Sequence, residues 1–182
     1  MILVFSTDEI DELVESTKFK KEEIKNWYKT FKRDCPKGEM SREQFYELYN
    51  QLFHTEDKSL VKKGLIFDSF DRNKDERISF KELMTTLSVL RRGPTTEKME
   101  WLFDLYDIDG NNEISYEELI AIADCLRDVG TYQFSLDKMG AIFQDMDTRK
   151  KGVVTKEEFL EGVKAHPELM NLFNARQILP MF

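Results

Sequence analysis

Residues 107–118 read Asp107-Ile108-Asp109-Gly110-Asn111-Asn112-Glu113-Ile114-Ser115-Tyr116-Glu117-Glu118, with oxygen-bearing side chains at the first, third, fifth, ninth and twelfth places. This stretch limits the possible folds more than any other. Twelve residues so spaced can wrap their oxygens around one point if each end feeds a helix, and a hard divalent cation takes about six to eight oxygens at roughly 2.3–2.6 Å. Asp107, Asp109 and Asn111 supply the first three ligands in this reading, and the Glu113 carbonyl the fourth. Ser115 acts directly or through water, and Glu118 closes the shell with both carboxylate oxygens from the start of the exiting helix. Ile114, at the eighth place, is expected to point into the core from a short strand. The pattern predicts a calcium loop between two helices.

The same grammar recurs at 71–82, where Asp71, Asn73, Asp75, Ser79 and Glu82 are in register and the Arg77 carbonyl completes the set. Its defect is Glu76 at the sixth place, where the loop needs a left-handed turn that costs a non-glycine residue roughly 1–2 kcal/mol. Asn112 holds that place in 107–118 and tolerates the conformation better. Residues 71–82 are therefore expected to form the weaker calcium site, with Mg2+ as an alternative occupant at rest. Two further stretches keep the length without the ligands. In 33–44, Arg33, Cys35 and Lys37 stand in ligand places, Gln44 replaces the closing glutamate, and Pro36 removes an N–H. In 147–158, Arg149 and Lys151 put positive charge in the third and fifth places. Gly38 and Met40 in the first, and Gly152, Val154 and Glu158 in the last, preserve the turn and the strand residue, so both are expected to act as scaffolds without calcium.

Apolar spacing surrounds these loops with helices. Ser6 to Glu9 reads as a capping box for a helix to about residue 15. Others are expected over about 20–31, from 41, over 59–70, and from the second loop to Arg92, where Gly93-Pro94 breaks the chain. Thr95 or Thr96 is expected to cap the helix carrying Met99, Leu102, Phe103 and Tyr106; Ser135 starts another, and 167–179 form the last, with Pro167 in its first turn. Four helix–loop–helix units thus recur at about 36 to 40 residues, marked by Met40, Ile78, Ile114 and Val154. The expected fold is all-α: four EF-hand units in two paired lobes, residues 1–92 and 93–182, with short antiparallel strands between paired loops.

Composition closes off other classes. Charged residues make up 34% of the chain and its net charge is −8, which disfavours a nucleic-acid partner. Cys35 and Cys125 fit neither a zinc pattern nor a disulfide framework, so a reducing, intracellular setting is expected. No run reaches the roughly 20 apolar residues of a membrane span, and residues 1–5 are too short for a secretory signal. His54 and His166 have no nucleophile or acid partner near them in sequence, so no enzyme is expected.

Over about residues 13–163 the chain resembles the neuronal calcium sensors, the family of recoverin, frequenin, visinin-like proteins, guanylate-cyclase activators and potassium-channel-interacting proteins. The marks are Thr17-Lys18-Phe19, Trp27-Tyr28-Lys29-Thr30-Phe31, the disabled Asp34-Cys35-Pro36-Lys37-Gly38 loop, and Phe103-Asp104-Leu105-Tyr106-Asp107-Ile108-Asp109-Gly110-Asn111. Live second and third loops beside a dead fourth look most like recoverin. Ile2 stands where most members carry the glycine that accepts myristate, and Glu76 replaces the turn glycine of the second loop.

The resemblance implies a cytoplasmic calcium sensor that regulates a target through a hydrophobic groove holding an amphipathic helix. The partner would be a membrane receptor, channel, kinase or cyclase, with peripheral membrane contact made without myristoylation. Groove residues by resemblance are Trp27, Tyr28, Phe31, Phe45, Tyr49, Leu52, Phe53, Phe67, Phe80, Leu83 and Leu87; the competing reading of each is ordinary core. A constitutive subunit of a channel or other membrane protein, and a calcium buffer, are the alternative functions. Gly38 and Gly93 match hinge positions. The C-terminal helix, with Leu169, Leu172, Phe173 and Ile178, is expected to lie in or beside the groove in place of a fatty chain, with residues 1–5 packed nearby or against a membrane.

Overall fold

The computed structural model describes residues 6–53, 60–127, 136–167 and 169. Within them, α1 (Thr7–Ser16) precedes four units of like build. The first is α2 (Lys21–Asp34), β1 (Glu39–Ser41) and α3 (Arg42–Phe53); the second is α4 (Leu60–Phe70), β2 (Arg77–Ser79) and α5 (Phe80–Arg92). The third is α6 (Thr95–Tyr106), β3 (Glu113–Ser115) and α7 (Tyr116–Arg127), and the fourth is α8 (Leu136–Met146), β4 (Val153–Thr155) and α9 (Lys156–Ala165).

Each pair of loops is joined by one antiparallel strand pair. Met40 faces Ile78 at the centre of β1–β2, and Ile114 faces Val154 at the centre of β3–β4. A three-residue strand points only its middle side chain to the core face, and all four of these are buried. The helices then close over them with aromatic contacts between units. Phe45 meets Phe67 edge-on at 5.5 Å, Phe31 lies 5.3 Å from Phe80, and Phe103 and Tyr106 flank Phe159 at 5.6 and 5.8 Å. The architecture is the all-α, paired EF-hand arrangement that the repeat implied.

The buried side chains form one connected core, and the lobes meet where α4 packs on α6 and α7 and α5 packs on α6. Gly93 sits at the join in extended backbone, its N–H donating to the Val89 carbonyl at 2.9 Å. A Cβ there would stand well inside contact distance of that carbonyl oxygen, so close approach, not a left-handed turn, is what demands glycine. Lys18 Nζ reaches Glu97 at 2.7 Å across the join, and the Arg92 guanidinium lies over the Phe19 ring while donating to Glu23 at 2.5 and 2.9 Å. The Glu23 carboxyl is held at about 2 by Arg92 first and by the Lys20 N–H second.

One expectation needs correction. Neither Thr95 nor Thr96 caps α6: Pro94 occupies the cap place with φ −61° and makes no side-chain cap bond, its ring already holding the entry angle. Of the groove residues, Phe31, Phe45, Phe67, Phe80, Leu83 and Leu87 are buried in the core, while Trp27 and Tyr28 pack half-buried against it. The side chains of Tyr49, Leu52 and Phe53 lie outside the described residues, as do residues 1–5 and all of the expected C-terminal helix beyond Pro167 except Leu169, which is fully buried.

Candidate metal centre

Every loop exit carries Ser or Thr followed three residues later by Glu or Gln, and each forms a capping box. Ser41 with Gln44, Ser79 with Glu82, Ser115 with Glu118 and Thr155 with Glu158 bond reciprocally through backbone N–H and side chain. This satisfies two of the donors that a helix start leaves open. The ninth and twelfth places, ligands by their spacing, thus also cap the starts of α3, α5, α7 and α9, and the recurring S/T-x-x-E/Q spacing is the sequence signal for that second role. It explains why Gln44 can replace the glutamate in the first loop without loss of shape.

In the third loop the carboxylates converge. Ligand oxygens of Asp107, Asp109 and Glu118 all lie within 4.8 Å of one another, the sole group of three or more metal-ligating acids or His/Cys side chains so placed among the described residues. Backbone donors organise them: Glu118 Oε1 accepts from the N–H of Ile108 at 2.9 Å and of Asp109 at 3.2 Å, and Asp107 accepts from Asn111 at 3.0 Å and Asn112 at 2.9 Å. Asn111 joins the ring through its side chain, donating to Asp109 Oδ2 and accepting from Glu113 N–H at 2.7 Å. Burial pushes the Asp107 carboxyl above its ordinary value and the Glu118 charge adds to that, against the pull of the Asn112 and Asn111 N–H groups. Acidic oxygens held close at a cost in repulsion are what a divalent cation would relieve, so the donor set fits calcium.

The second loop is folded by the same device but is looser. Asp71 is buried and accepts from Asp75 and Glu76 N–H at 3.1 and 2.8 Å, while Glu82 accepts from Asn73 N–H at 3.2 Å. Asn73 donates to Asp75 at 2.9 Å, and the exposed Arg77 side chain turns away to Glu39 at 3.7 Å, leaving its carbonyl as the candidate ligand. Its acids do not form a cluster as tight as that of the third loop. Glu76 has φ +63°, Asn112 has +65° and Gly152 has +77°, as the sixth place requires. The fourth place is left-handed as well: Lys74 at +56°, Gly110 at +71° and Lys150 at +52°. That demand was missed from sequence, where only the Gly110 of the third loop hinted at it. The second loop thus bears two unsuited residues and the third only Asn112.

The fourth loop has its own cation. The Arg149 guanidinium reaches Glu158 at 3.2 Å and Glu113 of the third loop at 3.4 Å. Burial opposes the Glu158 charge, yet bonds from Thr148, the Thr155 and Arg149 N–H groups and the guanidinium hold its carboxyl at about 2. The first loop keeps its turn at Gly38, φ +88°, whose N–H donates to the Cys35 carbonyl at 2.9 Å.

Residues 62–123 and 96–164 match the model of the EF-hand domain pair. Neuronal calcium sensor 1 of Lymnaea stagnalis is 41% identical over 171 residues, covering 90% of this chain and 89% of that protein. The protein of that name from Aplysia californica is 43% identical over 171 residues, with the same shares covered. The chain belongs to the neuronal calcium sensor family. Calcium is accordingly the cation the EF-hand loops imply, and these relatives carry the name of a sensor and not of an enzyme. Beside the first loop this family member has a cleft of about 400 Å³ whose lining includes Trp27, Phe31, Cys35, Met40, Gln44 and Leu83. No described helix is long and apolar enough to cross a membrane.

Proposed function

We infer that this protein is a calcium sensor whose loops 107–118 and 71–82 are its metal sites, the former the tighter, and that it regulates a target protein through its N-terminal lobe. The observation that carries the reading is the convergence of Asp107, Asp109 and Glu118 within 4.8 Å. The ligands are Asp107, Asp109, Asn111, the Glu113 carbonyl and Glu118 in one loop, and Asp71, Asn73, Asp75, the Arg77 carbonyl and Glu82 in the other. Calcium bound there supplies a double positive charge that the clustered carboxylates otherwise lack; Mg2+ is the resting occupant of the second loop. Loops 33–44 and 147–158 hold their strands in place and take no metal. The lobes are residues 1–92 and 93–182, divided at Gly93.

The target element is an amphipathic helix, received beside Trp27, Phe31, Met40 and Leu83, from a membrane receptor, channel, kinase or cyclase. The setting is the cytoplasm, with peripheral membrane contact. Titration calorimetry on the full chain tests the metal reading: Glu118→Gln and Glu82→Gln should each remove one site. A calcium signal kept in the double variant would place a live site in loop 33–44 or 147–158 and overturn the assignment.

A further inference from the structure

The two proposed metal loops belong to different lobes, yet they face each other across one cleft of about 300 Å³. Asp71, Arg72 and Lys74 of the second loop line one side and Asp107, Gly110 and Asn112 of the third line the other, with Trp101 and Leu105 in its wall. Lys74 sits at the fourth place of its loop with φ +56°, a backbone that disfavours any side chain bearing a Cβ. From there its ammonium projects over the neighbouring loop: among the described residues, and apart from Gly110 and its two chain neighbours, Nζ alone comes within 4 Å of the point where a Cβ on Gly110 would stand. Gly110 itself is left-handed at φ +71°, and the ammonium stands 3.7 Å, ordinary contact distance, from the point where a side chain there would begin.

We propose that Lys74, a residue of the second loop, sets the cation affinity of the third by holding a positive charge against the Gly110 side of the Asp107, Asp109 and Glu118 cluster. This rests on the reading of 107–118 as a calcium site. With the cation absent, the ammonium offsets part of the mutual repulsion of the three carboxylates. An incoming divalent cation meets that charge as a like-sign neighbour, so the third loop binds more weakly than its own ligands dictate. Because Lys74 lies between Asn73 and Asp75, occupancy of the second loop constrains the residue that acts on the third. The two sites are therefore coupled, and coupling between binding sites is reciprocal.

The test uses the full chain in the Glu82→Gln background, which silences the second site and leaves the third to be read alone. Lys74→Met retains a Cβ and hence the backbone strain of the loop, and removes only the charge; Lys74→Arg keeps the charge. Calorimetry at low salt should show third-site affinity raised roughly two- to fivefold by Lys74→Met, the range for an exposed charge pair, and little changed by Lys74→Arg. The gain should shrink at about 1 M salt, where screening acts over about 3 Å. In chelator, the Gly110 amide resonance should move in Lys74→Met. Equal affinities in all three chains would overturn the proposal whether or not the Gly110 resonance moves, as would a gain that Lys74→Arg shares. Failure of the Glu82→Gln chain to bind calcium at all would instead sink the assignment of 107–118, while the Gly110 resonance would still report whether Lys74 reaches that loop.

Discussion

Glu118→Gln should weaken the protein even where no calcium is present. Glu118 accepts four bonds, from the Ile108 and Asp109 N–H groups at Oε1 and from the Ser115 N–H and hydroxyl at Oε2. A glutamine offers one carbonyl in place of two carboxylate oxygens, so its NH2 must face one pair of donors. The Ser115 side is half-buried and keeps the oxygen; the exposed Ile108 and Asp109 donors turn to water. A bond to a charged acceptor is worth about 1.5–3 kcal/mol; the two freed donors are exposed and turn to water, which discounts the loss to about 1–2 kcal/mol. Loss of a negative charge from the first turn of α7 adds about 0.3–1 kcal/mol. Against this stands relief of repulsion within the Asp107, Asp109 and Glu118 cluster, about 1 kcal/mol for solvent-screened charges. The net expectation is a loss of about 1 kcal/mol. Urea unfolding in chelator, followed by tryptophan fluorescence, should show a lower midpoint with unchanged slope. Saturating calcium should widen the gap, since only the wild type gains binding energy at that loop. A variant as stable as the wild type in chelator, or more so, would show that repulsion governs the loop and that Glu118 does not hold it in shape.

Glu76→Gly relieves a left-handed strain of roughly 1–2 kcal/mol but adds unfolded-state freedom worth about 0.5–1 kcal/mol. Calorimetry should show the second site tightened by up to about fivefold; weaker binding would mean that the Glu76 side chain itself assists the cation. Gly93→Ala forces a Cβ against the Val89 carbonyl and should cost roughly 1–3 kcal/mol, seen as a lower Tm in chelator, and an unaltered Tm would show that α5 and α6 yield freely there. Because the folded-state Glu158 carboxyl lies at about 2, below its unfolded value of about 4.3, its stabilisation is present above that unfolded value and is lost as pH falls towards about 2. Arg149→Gln should soften that acid limb in Tm-against-pH profiles, the larger share staying with Thr148 and the Thr155 and Arg149 N–H groups, and identical limbs in both chains would remove the guanidinium from the account.

The loops were legible because their chemistry is local. Ligand places, turn places and the eighth-place core residue all fall within twelve residues, so Asp107 to Glu118 could be placed with no knowledge of the rest of the chain. The strand partners Met40 with Ile78 and Ile114 with Val154 followed from the repeat. What stayed hidden depends on contacts distant in sequence. Whether Phe31, Phe45 or Phe80 lines a groove or fills a core is decided by which helix packs against it, and an aromatic at helical spacing reads the same either way. Lys18 with Glu97, and Arg149 with Glu113, join surface charges that carry no spacing signal. The role proposed for Lys74 was hidden for another reason: it depends on the backbone angle of the fourth loop place and on the reach of Nζ to the Gly110 side of the third loop, facts that three-dimensional geometry supplies.

The strand pairs β1–β2 and β3–β4 each tie one proposed metal loop to one that carries a substitute for metal or none. If those two loops alone take calcium, occupancy within a lobe has a single chemical step, and a lobe so built answers rising calcium along a hyperbola. On the proposed assignment the partner loop is the strand anchor beside the metal loop. On that assignment any steeper dose–response arises between lobes, at the α4–α6 face and the cleft beside it, where substitutions at Leu65 or Trp101 would alter the threshold without touching a ligand.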